Sequence, residues 1–369
     1  MKNNLEFDFD NILKELPHGG NIYRVAKICK KAPSEIIDLS ASTNPLITSR
    51  EILKKIQKVF REISIFLDKY PDPECTQLKK IIAEKYKISE KAILCGNGST
   101  ELIYLSIRAL SPDKVLIVEP TFIEYEKVTR ISGVKKINRI FDLKKEKILK
   151  KLKTALKKEK VQAIFLCNPN NPTGWVIEKK KILEIVSEYP DITFLIDEAF
   201  IEFCEKESLL REATFYPNLI VFRSFTKFFG LAGLRLGYLV GNEKLIERLK
   251  NYKEPWSVNM FAQTLGVFLL TDKNFIKKSL QFFKKEKQYV ETALQKIKVE
   301  FFPSVTNFYL LYLPKGLDLT KYLLKSGILV RNCYNFYGLN ENYIRVSLKK
   351  RKENQKFLRV LKTWLKDLL

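Results

Sequence analysis

The apolar positions of the chain fall into short runs separated by amphipathic stretches. Lys114–Glu119 (K-V-L-I-V-E), Val161–Cys167 (V-Q-A-I-F-L-C), Ile192–Ile196 (I-T-F-L-I), Leu219–Phe222 (L-I-V-F) and Leu236–Val240 (L-G-Y-L-V) have strand length and little polar alternation. Helical stretches at Thr100–Leu110, Phe122–Ile131 and Lys179–Glu188 separate several of them. Strands apolar on both faces, spaced by helices, predict a mostly parallel sheet covered on both sides. In Lys144–Lys160 the apolar residues Ile148, Leu149, Leu152 and Leu156 recur at helical spacing, which predicts a surface helix with a lysine-rich outer face.

After about residue 245 the pattern changes. Helices are expected over Asn259–Leu270 and Asn274–Lys296, then strands over Asn307–Leu313, Ile328–Cys333 and Tyr343–Leu348, then a basic amphipathic helix over Glu353–Leu369. The length of 369 residues suits this division into a large α/β domain, 36–245, and a smaller α+β domain, 246–369.

The formal charge of +24 invites anionic partners. The lysines are spread through most of the predicted helices, however, and no nucleic-acid-binding motif accompanies them. A basic nucleic-acid-binding or regulatory protein is therefore the weaker rival to an enzyme, and no nucleic-acid partner is expected. The six cysteines form no C-x-x-C pair, and a single histidine, His18, accompanies them, so no metal site is expected. Several cysteines sit in apolar runs and read as small buried hydrophobes kept reduced. No stretch approaches the roughly 20 apolar residues that span a membrane. The acidic, mixed start lacks the pattern of a signal peptide, so the expected location is cytoplasmic.

The chemistry gathers at the ends of the predicted strands. Phe222–Tyr238 reads F-R-S-F-T-K-F-F-G-L-A-G-L-R-L-G-Y. Lys227 follows a buried strand, where an amine can form a Schiff base with a carbonyl. Ser224, Thr226 and Arg235 lie close enough in sequence to hold a phosphate. Cys95–Glu101, C-G-N-G-S-T-E, opens a helix whose first amides, at Gly98, Ser99 and Thr100, suit an anion; Ser99 or Thr100 with Glu101 would equally make an ordinary helix cap. Asn168–Gly174, N-P-N-N-P-T-G, is a turn in its own right. Asp197, at the tip of L-I-D-E-A-F, suits a cationic ring nitrogen or, more plainly, a strand-end turn.

In this order, these stations resemble the fold-type-I enzymes that use pyridoxal 5'-phosphate (PLP), above all histidinol-phosphate aminotransferases and their close relatives. The resemblance runs from about His18 to about Glu353. It implies a seven-stranded, mostly parallel sheet in the large domain and an N-terminal arm, 1–35, that joins the small domain. It implies PLP linked to Lys227, with Asp197 at the ring nitrogen, Asn171 at the ring hydroxyl oxygen and Phe122 on one ring face. The phosphate would be held by Gly98, Ser99, Thr100, Ser224, Thr226 and Arg235, with Tyr70 (K-Y-P-D-P) reaching in from the other subunit of a homodimer with shared active sites. Substrate contacts would come from His18, Gly19, Asn44, Asn171, Arg331 and Arg345. The two arginines stand at predicted strand positions, where an unpaired charge is costly and an anionic ligand or an acidic neighbour is expected.

Within that group, P-H-G-G-N (Pro17–Asn21), D-L-S-A-S-T-N-P-L (Asp38–Leu46), D-E-A-F (Asp197–Phe200), P-W-S-V-N (Pro255–Asn259) and R-N-C-Y-N-F-Y-G-L (Arg331–Leu339) are similar to threonine-phosphate decarboxylases. Phe200 departs from the tyrosine usual in the family. The resemblance implies decarboxylation of L-threonine O-3-phosphate in cobalamin biosynthesis, with histidinol-phosphate:2-oxoglutarate transamination as the alternative.

Overall fold

A computed structural model describes residues 18–368. Residues 1–17, which include Pro17 and half of the expected N-terminal arm, and Leu369 lie outside the described residues. Two compact units are present, one spanning Thr43–Gln281 and the other combining the segment up to Ser42 with the segment from Phe282 onward.

The larger unit is built on seven strands: β1 (Ile93–Gly96), β2 (Lys114–Glu119), β3 (Lys136–Phe141), β4 (Ala163–Cys167), β5 (Thr193–Asp197), β6 (Leu219–Ser224) and β7 (Gly237–Val240). Their order is β1-β7-β6-β5-β4-β2-β3. β7 is antiparallel to both its neighbours; the other pairings are parallel. Successive residues alternate between two buried faces. Ile164 and Leu166 of β4 enter one core cluster and Ala163, Phe165 and Cys167 the other; β2, β5 and β6 repeat the pattern. This double burial is the reason the strands read as unbroken apolar runs.

Two sheet strands escaped the sequence pattern. β3 (K-I-N-R-I-F) is an edge strand with no fully buried residue, so it keeps polar side chains. β1 is only four residues long and runs straight into the glycine loop. The stretch 246–281, expected in the small domain, sits in the larger unit. Helix Met260–Thr271 buries Ala262, Leu265 and Leu269 in the same cluster as Ile52 and Ile56 of helix Arg50–Ile63 and Leu78 and Ile82 of helix Thr76–Tyr86. Gly266 permits that approach, because a Cβ there would lie 3.1 Å from Leu78 Cδ1 and 2.6 Å from Leu236 Cδ2.

The smaller unit holds a four-stranded antiparallel sheet in the order Arg331–Asn332, Tyr343–Ser347, Phe308–Tyr312, Glu300–Phe301. The expected continuous strand Ile328–Cys333 is broken at Val330. Ile328–Leu329 pairs in parallel with Ile37–Asp38, whereas Arg331–Asn332 pairs with Tyr343–Ser347. Both halves are buried, and nothing in I-L-V-R-N-C marks the change of partner.

Candidate active site

β1, β2, β4, β5 and β6 all end at the same edge of the sheet, because β7 alone is reversed. Ligands of open α/β sheets collect beyond such carboxyl ends. The segments singled out by sequence, and Phe122, lie at the ends of these five strands: Gly96–Thr100, Glu119–Phe122, Asn168–Gly174, Asp197, and Ser224–Lys227.

Asp197 is buried at the tip of β5. The Tyr125 hydroxyl donates to its Oδ2 at 2.6 Å and the Ala199 amide to its Oδ1 at 2.9 Å. Burial pushes its carboxyl above the usual range, against the two hydrogen bonds and the charge of Lys227. Tyr125 is fixed in turn by stacking on Phe165, with centroids 4.6 Å apart, and by the edge-on ring of Phe122 at 5.7 Å. Sequence reasoning passed over Tyr125. It lies at the end of E-P-T-F-I-E-Y, and only the fold shows that helix Glu124–Ile131 turns it toward β5.

Lys227 follows β6. Its carbonyl accepts the Asn44 amide at 2.9 Å, and its Nζ stands 5.8 Å from the centroid of the buried Phe200 ring. Asn44 is bonded within the protein. Its Nδ2 donates to Phe228 O and Ser279 Oγ, both at 2.8 Å, and its Oδ1 accepts from Leu46 N. With both amide hydrogens used inside the protein, Asn44 fixes the backbone around Lys227.

Ser224, Thr226, Arg235 and Gly98 come together beside it. Ser224 Oγ accepts the Thr226 amide at 3.2 Å, and Arg235 Nη1 donates to Thr226 Oγ1 at 3.4 Å. Gly98 has φ +81°, and a Cβ there would lie 2.5 Å from Arg235 Nη2. Only glycine admits both that backbone and the guanidinium. Helix Gly98–Leu110 starts at Gly98, not at Ser99 or Thr100, so all three residues belong to its first turn. Amides of a first turn have no partner within the helix and favour an anion. The Asn97 amide is taken by the Glu101 carboxylate, which also accepts from Ser257 Oγ at 3.2 Å.

In the turn Asn168–Gly174 the first and second asparagines are structural. Asn168 exchanges hydrogen bonds with Ile177, and Asn170 donates to Pro120 O and Thr173 Oγ1. Asn171 is also buried. Tyr70 is set apart from these groups: it is 78% exposed and stacks on Trp256, centroids 4.7 Å apart and 27° between planes.

A small cavity of the smaller unit is lined by His18, Gly19, Ser40, Arg331 and Tyr334 among others. Arg331 and Arg345 are 5% and 7% exposed. Arg331 donates to Asn332 O at 2.9 Å and Asn335 Oδ1 at 2.6 Å, and Arg345 to Ser40 O at 2.6 Å. The two arginines occupy directly opposed positions of the antiparallel ladder. Opposed like charges destabilise a sheet, and burial holds the Arg331 guanidinium below its usual pKa.

The donor set of the larger unit fits a phosphorylated pyridine aldehyde: a lysine at a strand end, a buried carboxylate for a ring nitrogen, and a cradle of amides, hydroxyls and one guanidinium for a phosphate. The comparisons with known proteins agree. The chain belongs to the aminotransferase class I and II family, whose model matches residues 34–361. It is 36% identical over 358 residues to the protein named "Putative threonine-phosphate decarboxylase" from Caldanaerobacter subterraneus subsp. tengcongensis, covering 95% of this chain and 94% of that one. The fold is similar to that of the histidinol-phosphate aminotransferase of Clostridium acetobutylicum, with a TM-score of 0.81, 32% identity, and 90% and 100% of the two chains covered. It is also similar to the L-threonine-O-3-phosphate decarboxylase of Porphyromonas gingivalis, with a TM-score of 0.77, 28% identity, and 88% and 99% covered. The fold is that of the fold-type-I transferases, the cofactor is PLP, and the protein is a PLP-dependent enzyme. Among the described residues no helix is long and apolar enough to cross a membrane.

Proposed function

We propose that the enzyme decarboxylates L-threonine O-3-phosphate, releasing CO2 and (R)-1-aminopropan-2-yl phosphate, as a step of cobalamin biosynthesis in the cytoplasm. The observation that carries this reading is the cavity shared by His18, Gly19 and Arg331. It brings the His-Gly-Gly segment, which distinguishes the decarboxylase strings, beside one of two opposed buried arginines. A substrate with a carboxylate and a phosphate has one anion for each arginine.

Lys227 would carry PLP, with Asp197 at the ring nitrogen, Asn171 at the ring hydroxyl oxygen and Phe122 over the ring. Gly98, Ser99, Thr100, Ser224, Thr226 and Arg235 would hold the phosphate, and Tyr70 of a second copy would complete it in a homodimer. Bound PLP would supply an electron sink for the bond broken at Cα. The residues decide which bond that is. Arg331 and Arg345 would hold the two anionic groups of the substrate and so select which bond at Cα is broken. Lys227 Nζ would then return a proton to Cα. Phe200 would keep the space beside Lys227 Nζ apolar.

The rival reading is transamination of histidinol phosphate, favoured by the fold similarity to the Clostridium enzyme. Threonine phosphate added alone to the PLP-loaded enzyme should yield many turnovers of CO2 with the cofactor absorbance retained. Loss of that absorbance with histidinol phosphate, its return with 2-oxoglutarate, and no CO2 from threonine phosphate would establish the aminotransferase instead.

A further inference from the structure

Cys75 and Cys95 are far apart in sequence and adjacent in the larger unit. Both are buried, at 2% and 1% exposure, yet both line one cavity of about 170 Å³ with Glu74, Lys79, Lys250 and Lys253. The two thiols interact with each other. Cys75 occupies the N-cap position of helix Thr76–Tyr86 with φ +51°, a left-handed conformation unusual for a residue other than glycine. There it meets the positive end of the helix and the ammonium groups around the cavity, both of which stabilise a thiolate. The other cysteines lack this arrangement. Cys29, Cys167 and Cys333 donate to backbone carbonyls. Burial raises the thiol pKa of these three and of Cys204, whereas the neighbouring Cys95 thiol and the charges of Lys253 and Lys79 lower that of Cys75.

We propose that Cys75 and Cys95 form a redox-active dithiol, which a low-molecular-weight disulfide converts to an intramolecular disulfide through the lysine-lined cavity. The Cys75 thiolate attacks one sulfur of the small disulfide, which breaks its S–S bond, expels one thiolate and leaves a mixed disulfide on Cys75. Cys95 then loses its proton to the solvent or to the departing thiolate and attacks the Cys75 sulfur, which releases the second small thiol. Two electrons pass from the protein to the small disulfide, and two small thiols leave. Cys75 is five residues beyond Tyr70, and Cys95 is three before Gly98, so the bond ties the Tyr70 segment to the strand that feeds the phosphate cradle. This inference is independent of the substrate reading.

The test equilibrates the reduced full-length protein with oxidised and reduced glutathione at graded ratios. Samples are unfolded in acid, alkylated and mapped by mass spectrometry without reduction. The expected product is one linked peptide pair containing Cys75 and Cys95, with no retained glutathione and with Cys29, Cys167, Cys204 and Cys333 still alkylated. Cys95→Ser should stop the reaction midway, retaining glutathione on Cys75. Full alkylation of both cysteines at the oxidising end, or links confined to other cysteines, overturns the proposal, and this arm needs no variant. A folded Cys95→Ser protein that takes no glutathione at position 75 overturns Cys75 as the attacking thiol.

Discussion

Tyr125 donates its phenolic proton to Asp197 Oδ2 at 2.6 Å inside the sheet, so the carboxylate at the tip of β5 is held from below by a ring that itself stacks on β4. A hydrogen bond to a buried carboxylate stabilises the charged form that a protonated pyridine ring needs.

Tyr125→Phe keeps the stack and removes that bond. Hydrogen bonds to charged groups contribute about 1.5–3 kcal/mol, so PLP dissociation should rise roughly tenfold to a hundredfold. Spectrophotometric PLP titration of the variant checks this. Unchanged affinity, with Asp197→Asn also unchanged, would remove Asp197 from the cofactor site.

The opposed pair Arg331 and Arg345 gives a second expectation. If it serves an anion, inorganic phosphate should raise the thermal midpoint of the wild-type protein by binding the folded form. Arg345→Gln should lose that rise, gain stability without phosphate through relief of the like-charge pair, and raise KM for threonine phosphate by roughly a hundredfold, the scale of a buried charge contact. Calorimetry and initial rates test the two halves separately. Equal phosphate responses in variant and wild type would show that the arginines serve the small sheet alone.

Much of this was legible in sequence because burial on both faces leaves an unmistakable trace. β2 runs over the expected Lys114–Glu119, and helix Lys179–Glu188 has its expected bounds. What stayed hidden depended on partners distant in sequence. β3 is polar because it is an edge, Val330 interrupts a run that changes sheets, and 246–281 packs on helices near residue 60. The same holds at the candidate site. Lys227, Asp197 and the Gly98 loop are strand-end residues and announce themselves by position. Tyr125 and the internal bonding of Asn44 are visible only once helix Glu124–Ile131 and the Lys227 backbone are in place.

Glu119, at the end of β2, supplies a pH test. Burial pushes its carboxyl up to about 7, although the Thr121 amide donates to it at 2.8 Å and Arg139 Nε lies 3.9 Å away. The folded protein therefore binds this proton more tightly than the unfolded chain, whose glutamate titrates near 4.5. Stability must fall as pH rises through that window. Glu119→Gln stays neutral and keeps an acceptor for Thr121. It should match the wild type at about pH 4 and exceed it at about pH 8 by up to about 3 kcal/mol, at 1.36 kcal/mol per pKa unit. Glu198 and Glu202, pushed up to about 7 and about 8 chiefly by burial near Arg223, leave a residual slope of the same sign. Denaturant titrations across pH decide it: equal slopes in both proteins would mean that the folded protein binds the Glu119 proton no more tightly than the unfolded chain.

Tyr70 is a large aromatic left 78% exposed, with Trp256 stacked against its face. Under the proposed dimer it contacts the phosphate bound by the other copy, and mixed dimers separate that case from a role within its own chain. A Tyr70→Phe chain keeps Lys227, and a Lys227→Ala chain keeps Tyr70. Each homodimer is impaired in both of its sites. When Tyr70 acts across the interface, the one lysine-bearing site of the mixed dimer receives an intact Tyr70, so purified mixed dimers should show about half the wild-type activity per dimer and wild-type PLP affinity at that site. When Tyr70 acts within its own chain, the same site carries the Tyr70→Phe defect. The mixed dimer then binds PLP no better than the Tyr70→Phe homodimer, and that result would exclude a shared site.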